Sequence, residues 1–390
     1  MTRTPDIERL WAALGDELPA ARALRRQLHA QPDLSGDEAG TRDLVLAALP
    51  DGSRLTKVAE TGAVVRIGSD GPAVGIRGEL DALPVTERTG AAFASTRAGV
   101  MHACGHDVHL AALTAVARAV QVTPGTAPLL AVLQPREETY PSGAQDIVAT
   151  GLLTVEECVA MIGAHLQPSL DPGVVACVPG GVNASSDEFV LEVRGQSGHA
   201  AYPHLTRDPV LALAAIVVTL QSIVSRAVDP MAPAVVGVSS LETGTSANVV
   251  PGTARARGTI RALATTTRSI LHERVRDVAV SVAAAHGCTA EVTFVHGEPV
   301  LENDPALVDS TTLQLTANAL EVCTTLRSVG SDDFAFYSET VPSIMLFVGT
   351  DNSAHLHSDT FLPSDETVDL VARALLCGYL AASNLTVMPT

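Results

Sequence analysis

The chain has 390 residues, with 25 Lys+Arg against 43 Asp+Glu and a formal charge of −18. That sign argues against nucleic acid or an anionic membrane as partner, and 46% hydrophobic with 17% charged residues excludes a disordered chain. Because single cores stop growing at roughly 250–300 residues, two domains are expected.

The N-terminal thirty residues mix acids and bases on an amphipathic helical pattern and show no secretory h-region, so a cytoplasmic location is expected. Strands follow at Ala63 to Gly68 and Ala73 to Leu80, then a helix from His109 to Val120, a near-continuous apolar strand Pro128 to Gln134 and a short strand Met161 to Leu166. From Asp187 the pattern changes to strand, helix, strand, strand, helix, strand, the ferredoxin-like split arrangement. Its first helix is capped by Asp208, opened by Pro209, and runs to about Ala227. The apolar run Val210 to Leu220 inside it is shorter than the roughly 20 residues that cross a bilayer, and reads as a buried helix. The chain then resumes with helix Pro305 to Leu320, strand Ser343 to Gly349 and a closing helix from about Thr367 to Ala382. The expected fold is α/β: residues 1–182 and 297–390 build a catalytic metal-binding domain with an open mixed sheet flanked by helices, and residues 183–296 an inserted α+β domain. Six scattered cysteines with no C-x-x-C pair fit a reducing compartment better than a disulfide framework.

Polar residues gather at the ends of these elements. Met101 to His109, MHACGHDVH, packs a thiol, three imidazoles and a carboxylate before an apolar helix; Cys104 and His106 can face one ion from an irregular turn. Glu137 and Glu138 follow the strand ending at Gln134, a position where open α/β sheets place ligands, although such a pair alone also fits a solvated loop. His165 ends the Met161 strand, and His355 and His357 lie in the loop after Gly349. Cys104, His106, Glu138, His165 and His357 together make a mixed N, S and O set suited to Zn or another late divalent ion, or to Mn if the carboxylate dominates.

These motifs carry a family resemblance. GELDALPVTE (from Gly78), MHACGHDVH, QPREE (from Gln134), GAH (from Gly163), SGHAAYP (from Ser197), SANVVP (from Ser246), GTIRAL (from Gly258), GSDDFAFY (from Gly330) and HLHSD (from His355) occur in the order of the co-catalytic metallo-amidohydrolase and carboxypeptidase family. The chain resembles its branch of indoleacetyl-amino-acid hydrolases, hippurate hydrolases and N-acyl-amino-acid deacylases. The resemblance implies two divalent ions (Zn, Mn, Ni or Co) on the five ligands, Glu137 as general base and Asp81 as an acid orienting the metal site. It also implies an insert serving as lid and dimerisation domain, whose His199, Asn248 and Arg261 hold the substrate. Two positions depart from the family's usual wording: Arg77-Gly78-Glu79-Leu80-Asp81 stands where Arg-Ala-Asp-Met-Asp is common, and Arg136 stands where Ala often precedes the paired glutamates.

The implied reaction is hydrolysis of an N-acyl amino acid or small peptide with a free carboxylate by metal-activated water, with Glu137 handling the proton. Expected partners are that small substrate and further copies of the chain, as a homodimer or higher homo-oligomer, with no nucleic acid and no membrane. Two other readings compete. One is a catalytically silent metal-binding protein of the same fold, disfavoured by the presence of Glu137; the other is a cysteine hydrolase using Cys104 and His106, which chelator sensitivity would exclude.

Overall fold

The computed structural model describes residues 6–384. In chain order, α1 (Ile7–Ala30) and α2 (Ala39–Ala48) precede β1 (Arg54–Val58), β2 (Gly62–Ile67) and β3 (Ala73–Glu79). Then come α3 (His106–Val122), β4 (Leu129–Gln134), β5 (Cys158–Gln167) and β6 (Val174–Ala176). The insert supplies β7 (Asp187–Arg194), α4 (Pro209–Arg226), β8 (Ala234–Thr243), β9 (Thr253–Ala262), α5 (Thr265–Ala285) and β10 (Thr289–His296). The chain closes with α6 (Pro305–Ala317), β11 (Glu321–Cys323), β12 (Ser343–Gly349) and α7 (Glu366–Ser383).

Two compact units form. The first holds the chain to Gly180, Glu302–Leu326 and the chain from Phe336 onward; the second holds Gly181–Leu301 and Arg327–Ala335. The last segment lies outside the insert expected from sequence, and hydrogen bonds explain its membership. Ser328 donates its N–H to the Val182 carbonyl (2.9 Å), Arg327 donates to that of Gly181 (3.0 Å) and Arg261 to that of Val329 (3.1 Å).

The first unit contains an eight-stranded mixed sheet in the order β1-β2-β4-β3-β5-β12-β6-β11. Its centre is parallel: β3 pairs with β4 and β5, and β5 with β12, while β1, β2 and β6 run antiparallel to a neighbour. Strands β2, β3, β4 and β12 are buried along their whole length, which accounts for their continuous apolar reading. Helix α3 packs on β3 and β4 with α7 beside it, and α1 covers α3. Thus the carboxyl ends of β3, β4, β5 and β12 share one edge, where a parallel sheet offers its ligand crevice.

The second unit is an antiparallel sheet, β8-β9-β7-β10, with α4 and α5 on one face. Phe189, Leu191, Val193, Ala256 and Ile260 of the sheet share its core with Ile216, Leu220, Leu271 and Val275 of the helices. The Asp208 carboxylate caps α4 by accepting from Val210 N–H (2.8 Å), and Pro209 occupies its first turn. The expectation that this helix is buried holds for one face only. Ala212, Leu213, Ile216, Leu220 and Ile223 are buried, whereas Leu211 and Val218 are 58% and 73% exposed. By length and composition alone this helix would also pass for a membrane span.

One buried side chain joins the sheet of the first unit to the strand that returns from the insert. Asn303 donates through Nδ2 to the carbonyls of Val178 (2.9 Å) and Met345 (3.0 Å) and accepts the Met345 N–H through Oδ1 (2.7 Å). Replacing it with an apolar isostere strands three buried polar groups. Asn303→Leu is expected to lower unfolding stability by about 2–5 kcal/mol, read as a lower urea midpoint at unchanged slope.

Candidate metal centre

The motif MHACGHDVH bends because Gly105 caps α3 in the left-handed region, at φ 87. No other residue fits there without strain, and a Cβ at this position would lie 2.5 Å from Leu166 Cδ1. The turn separates Cys104 from His106 enough to aim both inward. Glu137 and Glu138 follow β4, His165 lies near the carboxyl end of β5 and His357 in the loop after β12, so four strand ends converge. Ligand atoms of Cys104, His106 and His165 lie within 4.8 Å of one another, as do those of Cys104, Glu138 and His357, and of His106, Glu137 and Glu138. Every other expected ligand is therefore within that reach of the Cys104 sulfur.

The ring tautomers are fixed by backbone acceptors. His106 donates through Nδ1 to the Asp81 carbonyl (2.8 Å), and His165 donates through Nδ1 to the Leu166 carbonyl (2.8 Å). A carbonyl can only accept, so Nδ1 carries the hydrogen and the neutral ring presents its Nε2 lone pair, which is how metal-binding imidazoles are held. His106 Nε2 is buried without a hydrogen bond, and His165 Nε2 lies 3.4 Å from Cys104 Sγ. Glu138 lies 3.2 Å from His357 Nε2 through Oε1 and Glu137 3.8 Å from His106 Nε2 through Oε2. The Cys104 thiol is pushed well up, first by burial and then by the carboxylates of Glu138, Glu137 and Glu79. Divalent cations are the partners that such a set suits: they offset the clustered negative charge and stabilise the thiolate. The residues fit two such ions, with Cys104, His106, His165, Glu138 and His357 as the available donors.

Buried groups behind these donors hold them. The Asp81 carboxylate accepts the Glu138 N–H (2.9 Å) and the Ser35 hydroxyl (2.7 Å). Glu79, whose purpose the sequence left open, is fully buried and pairs with Arg77. Its other oxygen accepts His109 Nδ1–H (3.1 Å), and His109 Nε2 accepts the Leu166 N–H (3.1 Å), so Glu79 supports the residue that follows His165. Sequence reading missed this role because the partners lie 30 and 57 residues apart in the chain. His357 adopts φ 66 and donates its backbone N–H to the Ala103 carbonyl (2.8 Å), tying its loop to the Cys104 turn.

In the second unit, the two-stranded ladder Gly198–His199 with Val249–Val250 brings His199 and Asn248 together, and Ala200 N–H donates to the Asn248 carbonyl (3.0 Å). Arg261 is elsewhere. This ladder follows the β7 end at Arg194, which pairs with Thr253, whereas Arg261 lies next to Ile260, which pairs with Asp187 at the opposite end of β7. Eight residues of strand, about 26 Å, lie between Thr253 and Arg261. One copy of the insert does not gather all three expected substrate residues around one small molecule.

A second buried network anchors the first turn of α3. Asp107, next to His106, accepts from Arg25 Nε (2.8 Å) and from His29 Nδ1 (2.9 Å), and His29 Nε2 faces Glu87 (3.3 Å). Burial opposes a charged His29, but the Asp107 charge and hydrogen bonds with Asp107 and Glu87 override it and raise the imidazole to about 9. The raised value in the folded chain means that this stabilisation is full below the ordinary 6.5 and fades as pH rises through about 9. Unfolding stability of the parent chain should decline across that window by up to about 3 kcal/mol, and the decline should be absent in His29→Gln. Parallel slopes for the two proteins in denaturant titrations at stepped pH would refute the charged imidazole.

Comparison with known proteins agrees with the geometry. Residues 75–376 match the model of peptidase family M20/M25/M40. An N-acetyldiaminopimelate deacetylase of Exiguobacterium sibiricum is 34% identical over 360 residues, covering 90% of this chain and 96% of the relative. An N-acetyl-L-cysteine deacetylase of Bacillus subtilis is 34% identical over 368 residues, covering 93% and 87%. Among solved structures, a dinuclear metal-binding peptidase of the M20 family from Bacillus subtilis superposes with a TM-score of 0.81 at 28% identity, covering 96% of this chain and all of the other. A Staphylococcus aureus chain described as a candidate aminohydrolase reaches 0.89 at 27% identity, covering 96% and 98%. With a family match across most of its length and relatives above 30% identity, the chain belongs to peptidase family M20/M25/M40 and is a metal-dependent amidohydrolase.

Proposed function

We propose that the protein removes the acyl group from small N-acyl amino acids bearing a free carboxylate, with N-acetyl substrates first. The observation that carries this reading is the convergence of two tautomer-fixed imidazoles, a thiol and Glu138 beside a second carboxylate, Glu137, that the donor set does not need. When bound, the two divalent ions polarise the amide carbonyl and lower the pKa of water toward neutrality. Cys104, His106, His165, Glu138 and His357 hold them, and the thiol with three imidazoles favours Zn, with Mn, Co or Ni as the other choices. Glu137 accepts the proton from the attacking water and returns it to the departing amine. The names of the relatives favour deacylation over carboxypeptidase action.

His199 and Asn248 donate hydrogen bonds to the developing oxyanion, and Arg261 forms a fork on the substrate carboxylate. The length of strand that parts them supports a shared arrangement, in which the His199 ladder of one subunit serves the metal centre of its partner in a homodimer. The free state of all six cysteines supports a reducing, cytoplasmic setting.

Two measurements test the reading. Glu137→Gln should keep its metal content and lose about 10²–10⁴-fold in kcat, because the amide preserves shape and loses only proton transfer. His199→Ala and Glu137→Gln chains, each inactive alone, should recover about a quarter of parental activity when co-folded in equal amounts, since half of the dimers then hold one intact site. No recovery in verified mixed dimers would place both residues in the same subunit's site.

A further inference from the structure

The loop that carries Glu137 and Glu138 is held by one residue whose polar groups are all engaged. Arg136 adopts φ 49, a left-handed conformation that side chains other than glycine rarely take. Its N–H donates to Glu38 Oε1 (2.9 Å), which also accepts the Gly36 N–H (2.8 Å), while Glu38 Oε2 accepts the Thr61 hydroxyl (2.5 Å). Its carbonyl accepts the Gly143 N–H (3.2 Å). The guanidinium, only 8% exposed, donates through Nε to the Pro141 carbonyl (3.0 Å) and through Nη1 to the Ala59 carbonyl and Glu60 (both 3.3 Å), and it pairs through Nη2 with Asp146. The far end of the loop is pressed equally close: a Cβ on Gly143 would stand 1.7 Å from the Pro135 carbonyl oxygen, so only glycine closes the turn there.

We infer that Arg136 is a positioning residue for the general base: it fixes the backbone immediately before Glu137, so that Glu137 and Glu138, adjacent in sequence, point to different tasks. The inference rests on the proposed role of Glu137. Glu138 has its own anchor, the Asp81 carboxylate that accepts its N–H, and Glu137 follows directly on the backbone that the Arg136 bonds fix. An alanine at this position satisfies none of the guanidinium's partners. It leaves the Pro141 and Ala59 carbonyls and the Asp146 carboxylate to water, and frees the loop to drift. Misplacement of a proton-transfer group by about 1 Å costs up to about 100-fold in rate.

The test compares Arg136→Ala, Arg136→Lys and Asp146→Asn with the parent as full-length, metal-loaded protein acting on N-acetyl-L-cysteine. Arg136→Ala should lose about 10–100-fold in kcat with KM and metal content nearly unchanged, and backbone hydrogen exchange should quicken over residues 136–143. Arg136→Lys, able to reach one partner at a time, should fall between it and the parent. Guanidinium ion added at millimolar concentration should restore part of the Arg136→Ala rate and none of the Glu137→Gln rate. Asp146→Asn keeps the guanidinium and loses one anchor, so it should shift in the same direction by less, and it serves as the variant if Arg136→Ala does not fold. Parental kcat, or parental exchange over 136–143, in folded Arg136→Ala overturns the inference. Parental turnover in Glu137→Gln instead overturns the general-base reading, and the exchange measurement then judges Arg136 alone.

Discussion

Concentrated negative charge at one edge of one sheet is the constraint around which the first unit is arranged. Glu79, Glu137 and Glu138 act on Cys104 and Asp81 backs Glu138, and three of these five groups are almost wholly shut off from water. Like charges in a low dielectric repel strongly unless they are protonated, hydrogen-bonded or matched by cations. The chain meets the demand in two ways. Arg77 and His109 take Glu79 into a closed network. The rest remain beside imidazoles, of which His106 and His165 commit Nδ1 to carbonyls and so turn Nε2 toward the cluster. An arrangement so poor in fixed positive charge is suited to divalent ions.

Rigidity of these donors comes from the groups behind them. His106 sits between Gly105, which breaks the chain direction, and Asp107, which is locked to Arg25 and His29 on α1. His165 is followed by Leu166, whose N–H and carbonyl are both occupied by histidines. Glu138 follows Arg136 and Glu137 and leans on Asp81. His106 and His165 are thus each followed in sequence by a residue whose polar groups are tied down, and Glu138 is held through its own N–H, which is how a geometry remains defined on loops.

This pattern sets what the sequence reveals. Strands such as Leu129–Gln134 and Ser343–Gly349 are legible because burial on both faces removes polar residues from them, and the five donors are legible because Cys, His and Glu are scarce in such surroundings. The start of α3 was expected at His109 but lies at His106, because a glycine cap in the left-handed region carries no side-chain signature of the Ser or Asp kind. The Arg327–Ala335 segment was invisible as part of the second unit because it is bound there by hydrogen bonds to backbone carbonyls, which leave no pattern in the sequence. Glu79 and Arg136 looked like departures from a motif, and their partners, Leu166 by way of His109 for one and Glu38 with Ala59 for the other, are tertiary neighbours with no sequence signal.

The insert poses a different physical question. Its sheet is one strand-length long, and that length parts His199 and Asn248 from Arg261. A small N-acyl amino acid spans far less than the length of β9, so groups fixed at the two ends of one sheet reach the same molecule only if they come from two copies or if one of them acts elsewhere. Helix α4 bears on the choice between these. A monomer that shields the apolar side chains of Ala212, Ile216 and Leu220 while leaving Leu211 and Val218 in water carries an unpartnered apolar stripe on the same unit. A stripe of this kind loses its exposure when a second copy covers it, and a site that needs groups from both ends of the sheet gains them by the same event. In the homodimer proposed above, a second copy covering this stripe would make association and completion of the site one equilibrium.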